Sequence, residues 1–169
     1  MSSGDVGALL YSVRRRLVVN ESTVVRVPTN EGAAMSGITD RVLISLPIED
    51  RRRSMGFYRD VFGFELIGEP AEDGVPEPLQ FRLNDKTSLM LIPAGGFGWV
   101  QPGREVATTG VAECLLGLAV ADEQQLIELV DRVRAAGGEI VAEPGEQPWG
   151  YSAVVTDLDG HAWQFGIAA

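Results

Sequence analysis

The side chains best able to do chemistry gather near the C-terminus, in Asp157-Leu158-Asp159-Gly160-His161-Ala162-Trp163-Gln164. Two carboxylates beside the only histidine of the chain could exchange protons or hold a cation, and Gln164 adds a neutral carboxamide. The spacing argues for another use. Asp-x-Asp-Gly is a type I-like turn sequence in which side-chain oxygens accept from nearby backbone N–H groups, so Asp157 and Asp159 are expected to shape a turn. Cys114 stands at a strand entry with no second histidine or evident base near it, which fits a small packing residue better than a nucleophile. One cysteine and one histidine are too few for a Cys/His zinc site, and they allow no internal disulfide.

At 169 residues with 45% hydrophobic content, the chain can form one domain or two small modules sharing a core. Its longest apolar runs, such as Leu115–Val120, fall far short of the ~20 residues that a membrane span requires. Arg14-Arg15-Arg16 follows a short apolar patch, the wrong order for a secretory signal, so a cytoplasmic protein is expected. The net charge of −10, with Lys86 as the only lysine, opposes a nucleic-acid partner. That acidity serves solubility first and would also attract cationic ligands.

Residues 1–37 show no sustained periodicity and read as a poorly ordered tail, with Met35 as an alternative start and a helix over 6–17 or a strand over 22–27 as the ordered alternatives. Regular patterns begin after it. Residues 42–46 read as a buried strand stopped by Pro47, and Asp50 then opens a helix over 51–62 whose apolar face carries Met55, Phe57, Tyr58, Val61 and Phe62. Gly63 ends that helix, and strands follow over 64–67, 79–83 and 88–92. Residues 93–112 are rich in glycine and proline and read as a linker or pocket loop. The order then repeats: a strand over Leu115–Val120, a helix over Glu123–Ala136 capped by Asp122 and ended by Gly137-Gly138, and strands over 139–142, 151–156 and Ala162–Ile167. The chain is therefore expected to be an α+β protein of two paired βαβββ modules, 38–94 and 113–169, joined by a loop over 95–112 and forming a cupped, partly closed mixed sheet.

Residues 50–64 (DRRRSMGFYRDVFGF), Ala135-Ala136-Gly137-Gly138, and Asp157 to Trp163 resemble the vicinal oxygen chelate superfamily of glyoxalase, bleomycin-resistance and extradiol dioxygenase proteins, over about residues 40–168. The resemblance implies two paired modules, often in a dimer, with a site inside the cup. It also implies that His161 packs against its turn. Catalytic members hold a divalent metal with His and Glu from strands of both modules. Here the corresponding positions fall on Leu43, Leu115 and Gln164, and the strand over 88–92 contains no acid. No charged ligand is supplied, so no metal and no cofactor are expected.

What remains is a pocket of different chemistry. Strand alternation groups Leu43 with Ser45, Met90 with Ile92, and Ala162 with Gln164. Trp99, Trp149 and Tyr151 are expected around the mouth and Phe97 on the linker, a lining suited to a planar or extended ligand oriented by Ser45, Arg82 and Gln164. The leading expectation is a metal-independent, homodimeric small-molecule binder, its ligand a cationic antibiotic or an aromatic metabolite. A metal-dependent lyase, isomerase or dioxygenase with atypical ligands is the alternative, and a purely dimeric interaction domain is a third.

Overall fold

A computed structural model describes residues 40–112 and 114–168, so the readings made for residues 1–37 lie outside the described part. The described residues from Val42 onward form one compact unit. Its elements run β1 (Val42–Ile48), α1 (Arg51–Gly56, continued by a π-helical turn over Phe57–Val61), β2 (Glu65–Ile67), β3 (Leu79–Arg82), β4 (Thr87–Pro93), α2 (Ala94–Val100), β5 (Leu115–Val120), α3 (Glu123–Ala136), β6 (Ile140–Gln147), β7 (Gly150–Thr156) and β8 (Ala162–Ile167). The strands make two four-stranded mixed sheets, ordered β1-β4-β3-β2 and β5-β8-β7-β6, which are not closed into a barrel. In each sheet the first strand runs parallel to the last and lies at an edge.

The sequence dictates the helices by capping. The Asp50 side chain accepts from the Arg53 N–H and that of Asp122 from the Gln125 N–H, each satisfying a donor left open in a first turn. Gly137 ends α3 in the left-handed region at φ 90°, its N–H reaching back to Val133 and Arg134. The π-helical turn after α1 buries the adjacent rings of Phe57 and Tyr58 together with Val61, so the expected apolar face of this helix is realised.

Both halves bury their helix-bearing faces in a single core. Leu46, Ile48, Phe81, Leu89 and Leu91 of the first sheet belong to the same buried cluster as Leu126, Val130, Val155, Trp163 and Phe165 of the second half. Trp163 lies at its centre, with ring centroids 5.8 Å from Tyr58, 5.4 Å from Phe62 and 5.6 Å from Phe64. Such tilted and edge-on pairs add to the stabilisation that burial alone supplies. The opposite faces of the sheets are open: Leu43 is 52% and Leu115 51% exposed.

Three elements depart from the sequence reading, each for a local reason. Strand β1 continues through Pro47, because the Val42 N–H donates to Lys86 and in this parallel register the even residues bond to β4. Proline at an odd position therefore removes no ladder hydrogen bond. Residues 94–100 form a helix within the expected loop despite three glycines, and Phe97 is buried there, so packing overrides weak propensity. Strand β6, expected to end at Ala142, runs on to Gln147, with register shifts on either side of Ala142 in its pairing with β7.

Gly138 marks the tightest approach in this packing, since a Cβ there would lie 2.5 Å from the Thr156 carbonyl oxygen and 2.6 Å from Val133 Cγ1. The backbone oxygen cannot swing aside. Gly138→Ala is expected to cost about 3 kcal/mol, read as a lower urea midpoint, in line with overpacking of a rigid site; an unchanged midpoint would mean that the β7 backbone yields.

Candidate functional site

The acidic turn between β7 and β8 does structural work on both sides of the molecule. Asp157 Oδ1 accepts from the N–H groups of Asp159 at 3.0 Å and His161 at 2.8 Å, while Oδ2 accepts from the Tyr58 hydroxyl at 2.5 Å. Asp159 reaches the first half as well, accepting from the Glu49 N–H at 2.8 Å and the Ser54 hydroxyl at 3.0 Å. His161 completes the set: its Nε2 lies 2.6 Å from the Pro47 carbonyl oxygen, so this nitrogen carries the proton and donates. Every polar group of the turn that could do chemistry is tied to α1, β1 or the segment between them.

Electrostatics follow from that burial. Desolvation pushes the Asp157 carboxyl above the usual carboxylate range, an effect partly offset by nearby His161 and by the hydrogen bond from Tyr58. Burial, and then the charge of Asp157, push the Tyr58 phenol well above its ordinary value. Tyr58 is thereby kept protonated and remains the donor.

A cavity of about 490 Å³ opens beside this turn. It is lined by the stretch of β1 from Ile44 to Pro47, by the loop from Arg104 to Ala112, and by Asp159, Gly160, His161 and Ala162. Cys114 lines it with an exposed residue surface. Residues 104–112 lie within the stretch whose glycine and proline content read as a linker or pocket loop.

Of the residues expected to bind a ligand, Ser45 and Phe97 line this cavity. Met90 is the register neighbour of Ser45 and lies against Gln80, whose Nε2 is 3.6 Å from its sulfur. Arg82, two positions along the same face, is paired with Glu65 at 2.9 Å. Gln164 lies on the second sheet between Gly117 and Val154 in register. Trp99 and Trp149 are exposed, and the Trp149 Nε1 donates to the Ser152 hydroxyl. Tyr151 shares its strand face with Ala153 and Val155 and packs against the core. The structure thus joins Ser45 with Phe97 in one cavity and Ser45 with Met90 on one face, and places the others apart from that cavity.

The metal positions implied by resemblance can be judged on donor chemistry. Leu43 and Leu115 offer no lone pair and Gln164 only a neutral carbonyl oxygen, and no group of three or more His, Cys, Asp or Glu side chains able to hold a metal occurs among the described residues. The residues present do not fit a divalent metal there. No described helix is long and apolar enough to cross a membrane.

Comparison with known proteins agrees with this architecture. The family model for the Glyoxalase/Bleomycin resistance protein/Dioxygenase superfamily matches residues 39–165. Among solved structures, a hypothetical protein from S. aureus is similar at 26% identity and a TM-score of 0.66, over 78% of this chain and 96% of that one. A glyoxalase-related enzyme from Fulvimarina pelagi is similar at 25% identity and 0.64, over 78% and 89%. TnmS3, an antibiotic binding protein from Streptomyces sp. CB03234, shares the fold at 24% identity and 0.55, over 80% and 100%. Among curated proteins none matches.

The buried Asp157 gives a pH dependence of defined sign. Its raised native pKa means that the fold favours the protonated carboxyl, so its contribution is full below the ordinary value near ~4 and is lost as pH rises through the native value. Asp157→Asn keeps an acceptor for the turn and removes the titration. The thermal midpoint of the parent should therefore fall relative to that of Asp157→Asn as pH rises from below the ordinary carboxyl value through the native one; a difference independent of pH would contradict the assignment. Tyr58→Phe, which strands Oδ2 of Asp157 in the core, should cost about 2 kcal/mol in chemical denaturation at neutral pH.

Proposed function

The chain belongs to the Glyoxalase/Bleomycin resistance protein/Dioxygenase superfamily, and within it we propose that this protein is a metal-independent small-molecule binder acting as a homodimer in the cytoplasm. The observation that carries the reading is the donor set: where catalytic relatives would present His and Glu, this chain presents Leu43, Leu115 and Gln164 on strands of both halves. Apolar and neutral groups suit contact with a ligand and offer a divalent cation almost nothing. Asp157, Asp159 and His161 are spent on the turn and leave no spare acid or base there.

The open face of each sheet supplies the binding surface. Ser45 and Met90 lie side by side on the first, Gln164 lies on the second, and Leu43 and Leu115 expose apolar surface that a second copy would cover. Exposed Trp99 and Trp149 offer rings for stacking. With a net charge of −10, a cationic ligand would be drawn in faster than a neutral one. The Streptomyces structure of the same fold is that of an antibiotic binding protein.

Thermal-shift screening in EDTA against cationic antibiotics and aromatic metabolites tests the reading. A ligand present at 100 times its Kd should add about 2.7 kcal/mol and raise the midpoint by several degrees, equally with and without chelator. Stoichiometric zinc, nickel, iron or manganese in the purified protein, or stabilisation that EDTA abolishes, would overturn it in favour of a metal-dependent lyase, isomerase or dioxygenase.

A further inference from the structure

Strand β1 is an edge strand with only β4 beside it. Because its even residues bond to β4, the peptide groups of Leu43, Ser45 and Pro47 point the other way. Pro47 has no N–H, and its carbonyl is taken by His161 Nε2 at 2.6 Å, which confirms the outward direction of the odd set. Among the described residues no backbone group pairs with the Ser45 N–H and C=O. This donor and acceptor lie in the stretch of β1 that lines the 490 Å³ cavity, and Val106 and Val111 of the loop line the same cavity. A half-buried strand edge left unpaired is a template for another extended backbone. The volume is that of an ordinary small-molecule pocket.

We propose that this cavity is a second binding site, engaged through the outer-edge backbone of Ser45, whose side chain belongs to the open face, and that it takes a small extended molecule bearing an amide. The ligand adds to the outer edge of β1 by exchanging two hydrogen bonds with the Ser45 backbone, as one residue of an antiparallel strand does. It must carry an N–H and a C=O on either side of one carbon, the unit of an acylated amino acid amide. Its apolar substituent packs against Phe97 and Val106, which line the same cavity. A peptide-derived metabolite or a short blocked peptide has this chemistry; a flat aromatic cation does not.

The probe is N-acetylvaline N-methylamide, titrated into the ¹⁵N-labelled full chain and followed by NMR, with N-acetyl-N-methylvaline N-methylamide as the control. The expected result is a saturable shift of the Ser45 amide with slowed hydrogen exchange there, and binding about tenfold weaker for the control, the loss that follows from removing one donor. Val106→Trp, which fills the cavity from the loop and leaves β1 intact, should abolish the shift. Gln164→Ala, on the other sheet face, should not alter it. A Ser45 amide that stays still at saturating probe, equal binding of the N-methylated control, or full binding by Val106→Trp would each overturn the proposal. None of these results bears on whether ligands bind the open faces, which the screen in EDTA reads separately.

Discussion

The hydrogen bond from Tyr58 to Asp157 is the constraint on which the rest of the molecule depends. It joins residues 99 positions apart, inside the core. A carboxyl group is costly to bury, and the cost is offset in part here by three donors converging on its two oxygens. Those donors come from both halves, so the turn between β7 and β8 cannot form correctly unless α1 is docked against it. The bonds of Asp159 to Glu49 and Ser54, and of His161 to Pro47, are made along the same seam. Alignment of the two halves is therefore set by polar geometry, while the aromatic cluster around Trp163 supplies most of the burial.

That arrangement decides which surfaces remain for function. With the helix-bearing faces committed to the shared core, the outer sheet faces and, apart from the Pro47 carbonyl, the outer edge of β1 are left without partners among the described residues. In a repeated fold of this kind, the residues that could have been metal ligands lie on those same faces. Leucine at two of the positions makes the faces apolar, and apolar surface invites either a ligand or a second subunit.

Much of this was legible in the sequence because the deciding features are local. Asp50 and Asp122 as caps, Gly63 and Gly137 as stops, and the β-branched strands all express short-range physics, and the two halves repeat it in the same order. The turn formed by Asp157 and Asp159 was readable for the same reason, but its attachment to Tyr58, Ser54 and Pro47 was not, since no pattern links positions about a hundred residues apart. Pro47 misled, because it lies where its missing N–H faces away from the neighbouring strand. Phe97 shows the same limit: a glycine-rich stretch takes helical form because one ring is buried. For the candidate site, alternation grouped Ser45 with Leu43, but nothing in the sequence revealed that the 104–112 loop would line the same cavity as that strand.

The placement of the three tryptophans gives the protein a built-in optical gauge. Trp163 is fully buried amid Tyr58, Phe62 and Phe64, its Nε1 without an acceptor, at the seam between the halves. Trp99 and Trp149 are in water. An indole in dry, aromatic surroundings emits to the blue of one that is solvated, so the emission of the chain divides into an interior component and a surface component. Separation of the halves would dim and redden the first, whereas a molecule stacking on the exposed rings would quench the second.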